Sequence, residues 1–176
     1  MATASSAVLP MTSPSASASS ATAPAEVDLT PDANGLSKAT ITIATKKGNI
    51  RFKLFSKDAP NTSKRIVELV QKSFYNGLTF HRVENWVIQG GDPTGTGTGG
   101  SGQRLKAEFN RQRHKEGSVG MARGQDPDSA DSQFYITFGV QPHLDTSYTI
   151  FGQVIEGMDI AHKIEKGDVM TSVTVQ

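Results

Sequence analysis

Residues 80–92 read FHRVENWVIQGGD and set Arg82, Trp86 and Gln89 within one short stretch. A guanidinium keeps its charge at neutral pH and presents several N–H donors in a fixed fork. Beside an apolar indole and a side-chain amide, it suits recognition of a peptide carbonyl. The same pattern also suits an ordinary surface arginine whose stem lies along apolar neighbours. His81 offers a second kind of chemistry, general acid–base transfer. The remaining histidines, His114, His143 and His162, show no metal-ligand spacing, and no G-x-S-x-G elbow presents a nucleophilic serine.

These groups need elements to hold them. Residues 79–83 alternate and begin with an aromatic, which predicts a strand. A second strand is expected over 86–89, after a tight break at Glu84-Asn85, and Gly90-Gly91-Asp92-Pro93 ends it. In a regular strand Phe80 and Arg82 share one face and His81 takes the other. Upstream, 40–43 and 50–55 flank Lys46-Lys47-Gly48-Asn49 and read as a hairpin. A helix opens at Pro60, with Asp58 as its expected cap. Ile66, Val67, Leu69 and Val70 form its apolar stripe, and Lys64, Arg65, Glu68 and Gln71 are expected to face water. Further strands are expected at 105–109, 118–122, 133–138, 149–154 and 169–175, with a short helix at 158–164 and a polar loop at 124–132. Many short strands with two helices predict a mainly β protein, an antiparallel barrel closed or nearly so.

Composition narrows the function classes. Lys and Arg total 18 against 17 Asp and Glu, so there is no basic footprint for nucleic acid or for an anionic membrane. Without cysteine, disulfides and thiolate chemistry are excluded. No apolar run reaches the roughly 20 residues of a membrane helix. The glycine run 95–102 contains G-x-G-x-x-G, but no helix pattern or βαβ unit surrounds it and no Gly-Lys-Ser/Thr ends it. A turned surface loop is expected there instead of a nucleotide site. The Asn61-Thr62-Ser63 sequon is read as chance. Residues 1–25, nearly all Ala, Ser, Thr and Pro, are expected to be disordered, and 26–38 to be a linker, which leaves 39–176 as the folded domain. The start lacks a secretory h-region, and a cytoplasmic location is expected. Organelle import through the Ser/Ala-rich start is the alternative.

Five motifs follow in order: Phe80-His81-Arg82-Val83, Gln89-Gly90-Gly91-Asp92 with the Gly-Thr-Gly repeat, GSVGMA at 117–122, Ser132-Gln133-Phe134 and Phe151-Gly152-Gln153-Val154. On these, from about residue 39 to 176, the chain resembles the cyclophilins, the cyclosporin-binding peptidyl-prolyl cis-trans isomerases. It implies a closed eight-stranded antiparallel barrel capped by two α-helices, with a groove on its outer surface. It also implies rotation of Xaa-Pro bonds in proline-containing peptides and in unfolded or folding proteins, with no cofactor and no metal. Arg82 matches the family's catalytic arginine and Gln89 its substrate-binding glutamine. Trp86 and Val87 fall where Phe and Met are usual. Ala122, Arg123 and Gly124 fall on the segment that pairs with substrate backbone, and Gln133 lines the groove. Tyr135 stands on a proline-pocket Phe and Leu144 on a pocket leucine, while His143 replaces a common Trp and Tyr148 a common His.

Two departures follow. The stretch from Val83 to Gln89 is one residue short near Asn85, which matches Trp86 and Val87 to the family pattern to within one position. The loss of the Trp at 143 implies weak cyclosporin binding. A proline-peptide binding module or assembly factor with little turnover is the rival reading. Balanced charge on a closed barrel leans to a monomer.

Overall fold

The structure, a computed structural model, describes residues 36–176. The expected disorder of 1–25 and most of the expected linker lie outside the described residues. Ordered chain begins slightly earlier than the sequence indicates, because Leu36 is fully buried and its carbonyl accepts from the Ala39 amide at 3.3 Å.

The first hairpin joins β1 (Thr40–Thr45) to β2 (Gly48–Leu54). Its turn is tightened by the Thr45 hydroxyl, which donates to the Gly48 carbonyl at 2.8 Å and accepts from the Lys47 amide at 3.1 Å. Ile41, Ile43, Ile50, Phe52 and Leu54 alternate inward, as their period of two demands, and all are buried.

Helix α1 (Pro60–Gln71) follows. Pro60 fits its first turn, where the missing N–H costs nothing. The expected cap, Asp58, does not serve; Ala59 holds the cap position without a side-chain bond. The exposed amides of Asn61 and Thr62 are met by the Glu108 carboxylate instead, at 3.0 and 2.8 Å. An acid at a helix N-terminus is stabilising whichever part of the chain supplies it. Ile66, Val67, Leu69 and Val70 are buried as predicted. Arg65 departs from expectation: it is buried, donates to the Ser101 hydroxyl at 2.9 Å and pairs with Glu68 at 3.4 Å.

The remaining elements are β3 (Phe80–Glu84), β4 (Val87–Gly90), β5 (Ser118–Met121), β6 (Phe134–Thr137), β7 (Ile150–Glu156), a one-turn helix α2 (Met158–Ala161) and β8 (Ser172–Val175). The expected helix at 158–164 is thus shorter. The segment at 105–109 is no strand, since Leu105 makes a single bridge to Ala130. All pairings are antiparallel, in the order β3-β4-β6-β5-β7-β2-β1-β8.

The eight strands are those expected, but closure is incomplete. β3 and β8 form no ladder with each other, and Thr79 bridges Val169 just ahead of both. The seam is stitched there by Gly77 N–H to the Met170 carbonyl and Met170 N–H to the Leu78 carbonyl, both at 2.8 Å. Curling the sheet this far buries one face on itself. Phe52 and Phe151 meet edge to face inside it at 6.1 Å, and Ile88, Val119, Met121 and Ile136 fill the space around them.

Candidate active site

The β3–β4 pair brings the chemistry to the surface. Its register runs Phe80 opposite Gly90, then Arg82 opposite Gln89, so His81 is the extra residue of a β-bulge. The bulge re-phases the strand. Phe80 points into the core and is fully buried, Val83 also packs inward, and Arg82 and Glu84 face out. The sequence expectation that Phe80 and Arg82 share a face fails because it assumed a regular strand. After the bulge Glu84 pairs with Val87, which leaves Asn85-Trp86 as a two-residue turn. The shortened segment is absorbed there without displacing Val87 from the sheet.

Arg82 stands at the centre of a polar and aromatic cluster. Its Nε donates to Glu84 at 2.6 Å, and its Nη1 donates to the Gln89 side-chain oxygen Oε1 at 3.4 Å. The guanidinium carbon lies 5.4 Å from the Trp86 ring centre, within cation–π range. Gln89 in turn donates to Gln133 at 2.9 Å, and Gln133 donates to the Gly99 carbonyl at 2.8 Å. The amides that flank the groove are thereby fixed in orientation.

Beside Arg82 lies a pocket of about 170 Å³. Trp86, Val87, Leu144, Tyr135 and Tyr148 supply its apolar surface, with Arg82, Gln89, Ala122 and Arg123 around it. Gln133 and Gly124 line an adjoining depression of about 390 Å³ against the glycine loop. His143 is set apart from both and leans edge-on against Trp86 at 5.9 Å. The backbone at 122–124 continues past the end of β5. Two of its amides are already used, Ala122 N–H by the Gln133 carbonyl at 3.0 Å and Gly124 N–H by the Ser129 hydroxyl at 2.8 Å. The Arg123 side chain donates to the Ser147 carbonyl at 2.8 Å and lies over the Tyr148 ring at 4.6 Å, which holds it at the edge of the pocket.

Tyr135 is held from behind. Its hydroxyl meets His114 Nε2 at 2.8 Å, and His114 Nδ1 meets Asp145 at 2.9 Å. The imidazole and phenol planes stack with centres 6.0 Å apart. A Cβ at Gly120 would run into the Tyr135 ring, so the glycine there is what lets the phenol cross β5. Burial pushes the His114 imidazole down, against the pull of Asp145, and burial pushes the Tyr135 phenol up. Both sit neutral, the phenol in the pocket wall and the imidazole behind it. His81 lies beneath the glycine loop, near Gly97, with both ring nitrogens shielded and without hydrogen-bond partners among the described residues. Burial lowers its pKa. It is thus a neutral ring with shielded nitrogens that lines neither depression, which leaves the acid–base alternative without a reachable proton.

The glycine loop is organised by Asp92. Its carboxylate accepts from the Thr94 amide and hydroxyl, both at 2.7 Å, from the Gly97 amide at 2.6 Å and from the Gly99 amide at 3.2 Å. Burial alone would raise this carboxyl, but the Thr94 and loop donors outweigh it and hold the pKa at about 2. The His114 amide, then its ring and Arg113, hold Asp145 at about 2 as well. Both folded-state values lie below the ordinary Asp value of about 3.9. Their contribution is therefore fully present above about pH 5 and is lost as pH falls through that range toward 2. Urea midpoints measured from pH 5 down to pH 2.5 should fall steeply, and Asp92→Asn should flatten part of the slope. An unchanged slope in that variant would remove Asp92 from the account.

Three contributors escaped the sequence reading. Glu84 accepts from both Arg82 and the Trp86 indole N–H, the latter at 2.8 Å. Its place two residues from each was visible, but the turn that folds it between them was not. His114 and Asp145 are 31 residues apart and carry no local signal.

Comparison with known proteins accounts for this arrangement. The family model described as cyclophilin type peptidyl-prolyl cis-trans isomerase/CLD matches residues 40–176. A peptidyl-prolyl cis-trans isomerase of Helicobacter pylori (strain ATCC 700392 / 26695) is 48% identical over 140 residues, covering 77% of this chain and 85% of that protein. Peptidyl-prolyl cis-trans isomerase B of Bacillus subtilis (strain 168) is 43% identical over 130 residues, covering 72% and 90%. A Cryptosporidium parvum cyclophilin type isomerase, solved in the presence of the dipeptide Ala-Pro, superposes with a TM-score of 0.73 at 28% identity, covering 78% of this chain and 98% of that one. The bulged β3, the groove beside it and these matches along the same stretch of chain lead to one placement: the chain belongs to the cyclophilin-type peptidyl-prolyl cis-trans isomerases.

Proposed function

We propose that the groove rotates Xaa-Pro peptide bonds, with Arg82 as the group that favours the twisted state. One observation carries this reading: a guanidinium fixed at the rim of a proline-sized pocket of about 170 Å³ walled by Trp86, Val87, Tyr135 and Leu144. The rotation barrier is about 18–20 kcal/mol and arises from amide resonance, so no covalent step is needed. As the bond twists, the proline nitrogen pyramidalises and regains its lone pair. A donor that meets that lone pair, or that holds the neighbouring carbonyl better in the twisted form, lowers the barrier. Glu84 and Gln89 occupy two of the Arg82 N–H groups, and the others remain for a bound peptide.

Magnitudes divide the work. Acceleration by about five decades requires roughly 7 kcal/mol of differential binding. A single charge-assisted hydrogen bond contributes about 1.5–3 kcal/mol. The rest falls to the pocket, which fixes the ring against Tyr135 and Leu144 while Gln89, Gln133 and the backbone near 122–124 hold the chain on either side. The substrate class is proline-containing peptide, in short peptides or in unfolded and folding chains, and the protein acts as a monomer.

The test is NMR exchange, or protease-coupled release, on a short Xaa-Pro peptide. Faster interconversion at catalytic protein concentrations supports the reading. Binding without faster exchange would mark a recognition module instead, although the feature behind that alternative, the shortened segment near Asn85, leaves Trp86 and Val87 lining the pocket. Cyclosporin should bind weakly, because His143 leans on Trp86 and offers no indole donor. A titration with nanomolar affinity would contradict this.

A further inference from the structure

We propose that Glu84 is a positioning residue for the reaction, aiming the Arg82 guanidinium and the Trp86 indole together at the bound proline. This rests on the reading of Arg82 as the rotating bond's donor.

The geometry is a two-point clamp. One carboxylate oxygen takes Arg82 Nε at 2.6 Å, and the other takes Trp86 Nε1 at 2.8 Å. The two clamped groups also face each other, with the guanidinium carbon 5.4 Å from the ring centre. The Asn85-Trp86 turn makes this possible. Glu84 pairs with Val87, so the indole returns directly over the outward face that Arg82 and Glu84 share after the bulge at His81. A longer connection would give Trp86 more freedom to leave the carboxylate.

Three consequences follow from chemistry alone. Binding at Nε fixes the plane of the guanidinium, which otherwise turns about the end of a flexible stem, and it directs the terminal N–H groups forward. Binding at Nε1 satisfies the indole N–H, so the ring can serve as a pocket wall without an unpartnered donor. The carboxylate also anchors a chain of contacts from Trp86 through Glu84, Arg82 and Gln89 to Gln133. Arg82, with Trp86 assisting, holds the Glu84 carboxyl below the ordinary range, so it stays ionised near neutrality. Glu84 itself lies back from the pocket lining, so its action on substrate passes through the two residues it holds.

The experiment is Glu84→Gln in the full chain, with Glu84→Asp as the second variant. The glutamine keeps shape and one acceptor oxygen but loses the charge and the second acceptor. NMR exchange at saturating peptide should show kcat lower by about tenfold, with peptide affinity within about twofold of wild type. The protein has one tryptophan, so its single indole N–H resonance reports the clamp without ambiguity. That resonance should shift in Glu84→Gln, and the Arg82 Nε–H signal should lose its protection from solvent. Glu84→Asp keeps the charge but is one methylene too short to span both groups, and its kcat should fall between the other two.

Wild-type kcat in Glu84→Gln overturns the proposal. So does an unmoved indole resonance, or a loss shared equally between kcat and affinity. Absence of exchange catalysis in the wild type would instead end the isomerase reading, and the indole shift would still show whether the clamp exists.

Discussion

Arg82→Ala should lower kcat/KM for an Xaa-Pro peptide by about one to two orders of magnitude, what the loss of one charge-assisted hydrogen bond of about 1.5–3 kcal/mol amounts to. The fold should be nearly indifferent. The Arg82 side chain is 44% exposed and Glu84 is 43% exposed, so the substitution leaves no buried charge without a partner. A urea midpoint close to wild type, within about 0.5 kcal/mol, is the expected control. Peptide affinity should change much less than turnover, because Val87, Tyr135 and Leu144 still form the niche. Arginine keeps its charge across the neutral range, so the wild-type rate should be nearly flat from about pH 6 to 9. A sigmoid near the histidine range would point to acid–base chemistry, yet the ring nitrogens of His81 are shielded. Full turnover in Arg82→Ala removes the central assignment.

The largest stability effect is expected at His114, which does not itself line the pocket but stands directly behind one of its walls, Tyr135. The ring is fully buried, and both its nitrogens are engaged, one by Asp145 at 2.9 Å and one by the Tyr135 hydroxyl at 2.8 Å. His114→Ala opens a cavity and leaves a carboxylate and a phenol without that partner. The expected cost is about 3–5 kcal/mol, from the cavity and the buried phenol left without its partner; Asp145 keeps the residue-114 amide and Arg113. Tyr135→Phe should be milder, about 1–3 kcal/mol, since it removes one hydroxyl and keeps the packing. Chemical denaturation of the two variants checks the order. The pocket should respond too: with Tyr135 no longer tethered, KM should rise in His114→Ala. A cost under about 1 kcal/mol would mean that water replaces the ring without penalty.

Much of the fold was legible in the chain because its signals are local. The alternation in 40–43 and 50–55 buries Ile41, Ile43, Ile50, Phe52 and Leu54 as the period requires, and the apolar stripe of α1 lies inward. Of the candidate site residues, the structure gathers Arg82, Trp86, Val87, Gln89, Ala122, Arg123, Tyr135, Leu144 and Tyr148 around one pocket, sets Gln133 and Gly124 in the adjoining depression and leaves His143 outside both. What escaped depends on partners distant in sequence. The bulge at His81 exists because β4 holds β3 in a register that the β3 residues do not announce. The helix start is served by Glu108, 47 residues from Asn61. Arg65 looked like a solvated position on a helical wheel, and its actual environment is set by Ser101 and Glu68. Barrel closure was overstated for a similar reason. Strand patterns indicate how many ribbons there are, and only their lengths near residues 77–80 and 167–170 decide whether the last two zip together.

That half-open seam bears on the strand that carries Arg82. β3 is laddered to β4 along one side only, while its other side is fastened at the foot, where Phe80 exchanges bonds with Asp168 and Gly167, each at 2.9 Å. Above Phe80 the free side has no neighbouring strand among the described residues. The strand is thus bonded on both sides at its base and on one side only toward its tip, like a reed set in a mouthpiece. At Arg82 and Glu84 backbone support comes from one side alone, so the carboxylate clamp and the β4 ladder together carry the positioning there, whereas Phe80 is bonded on both sides where the core begins.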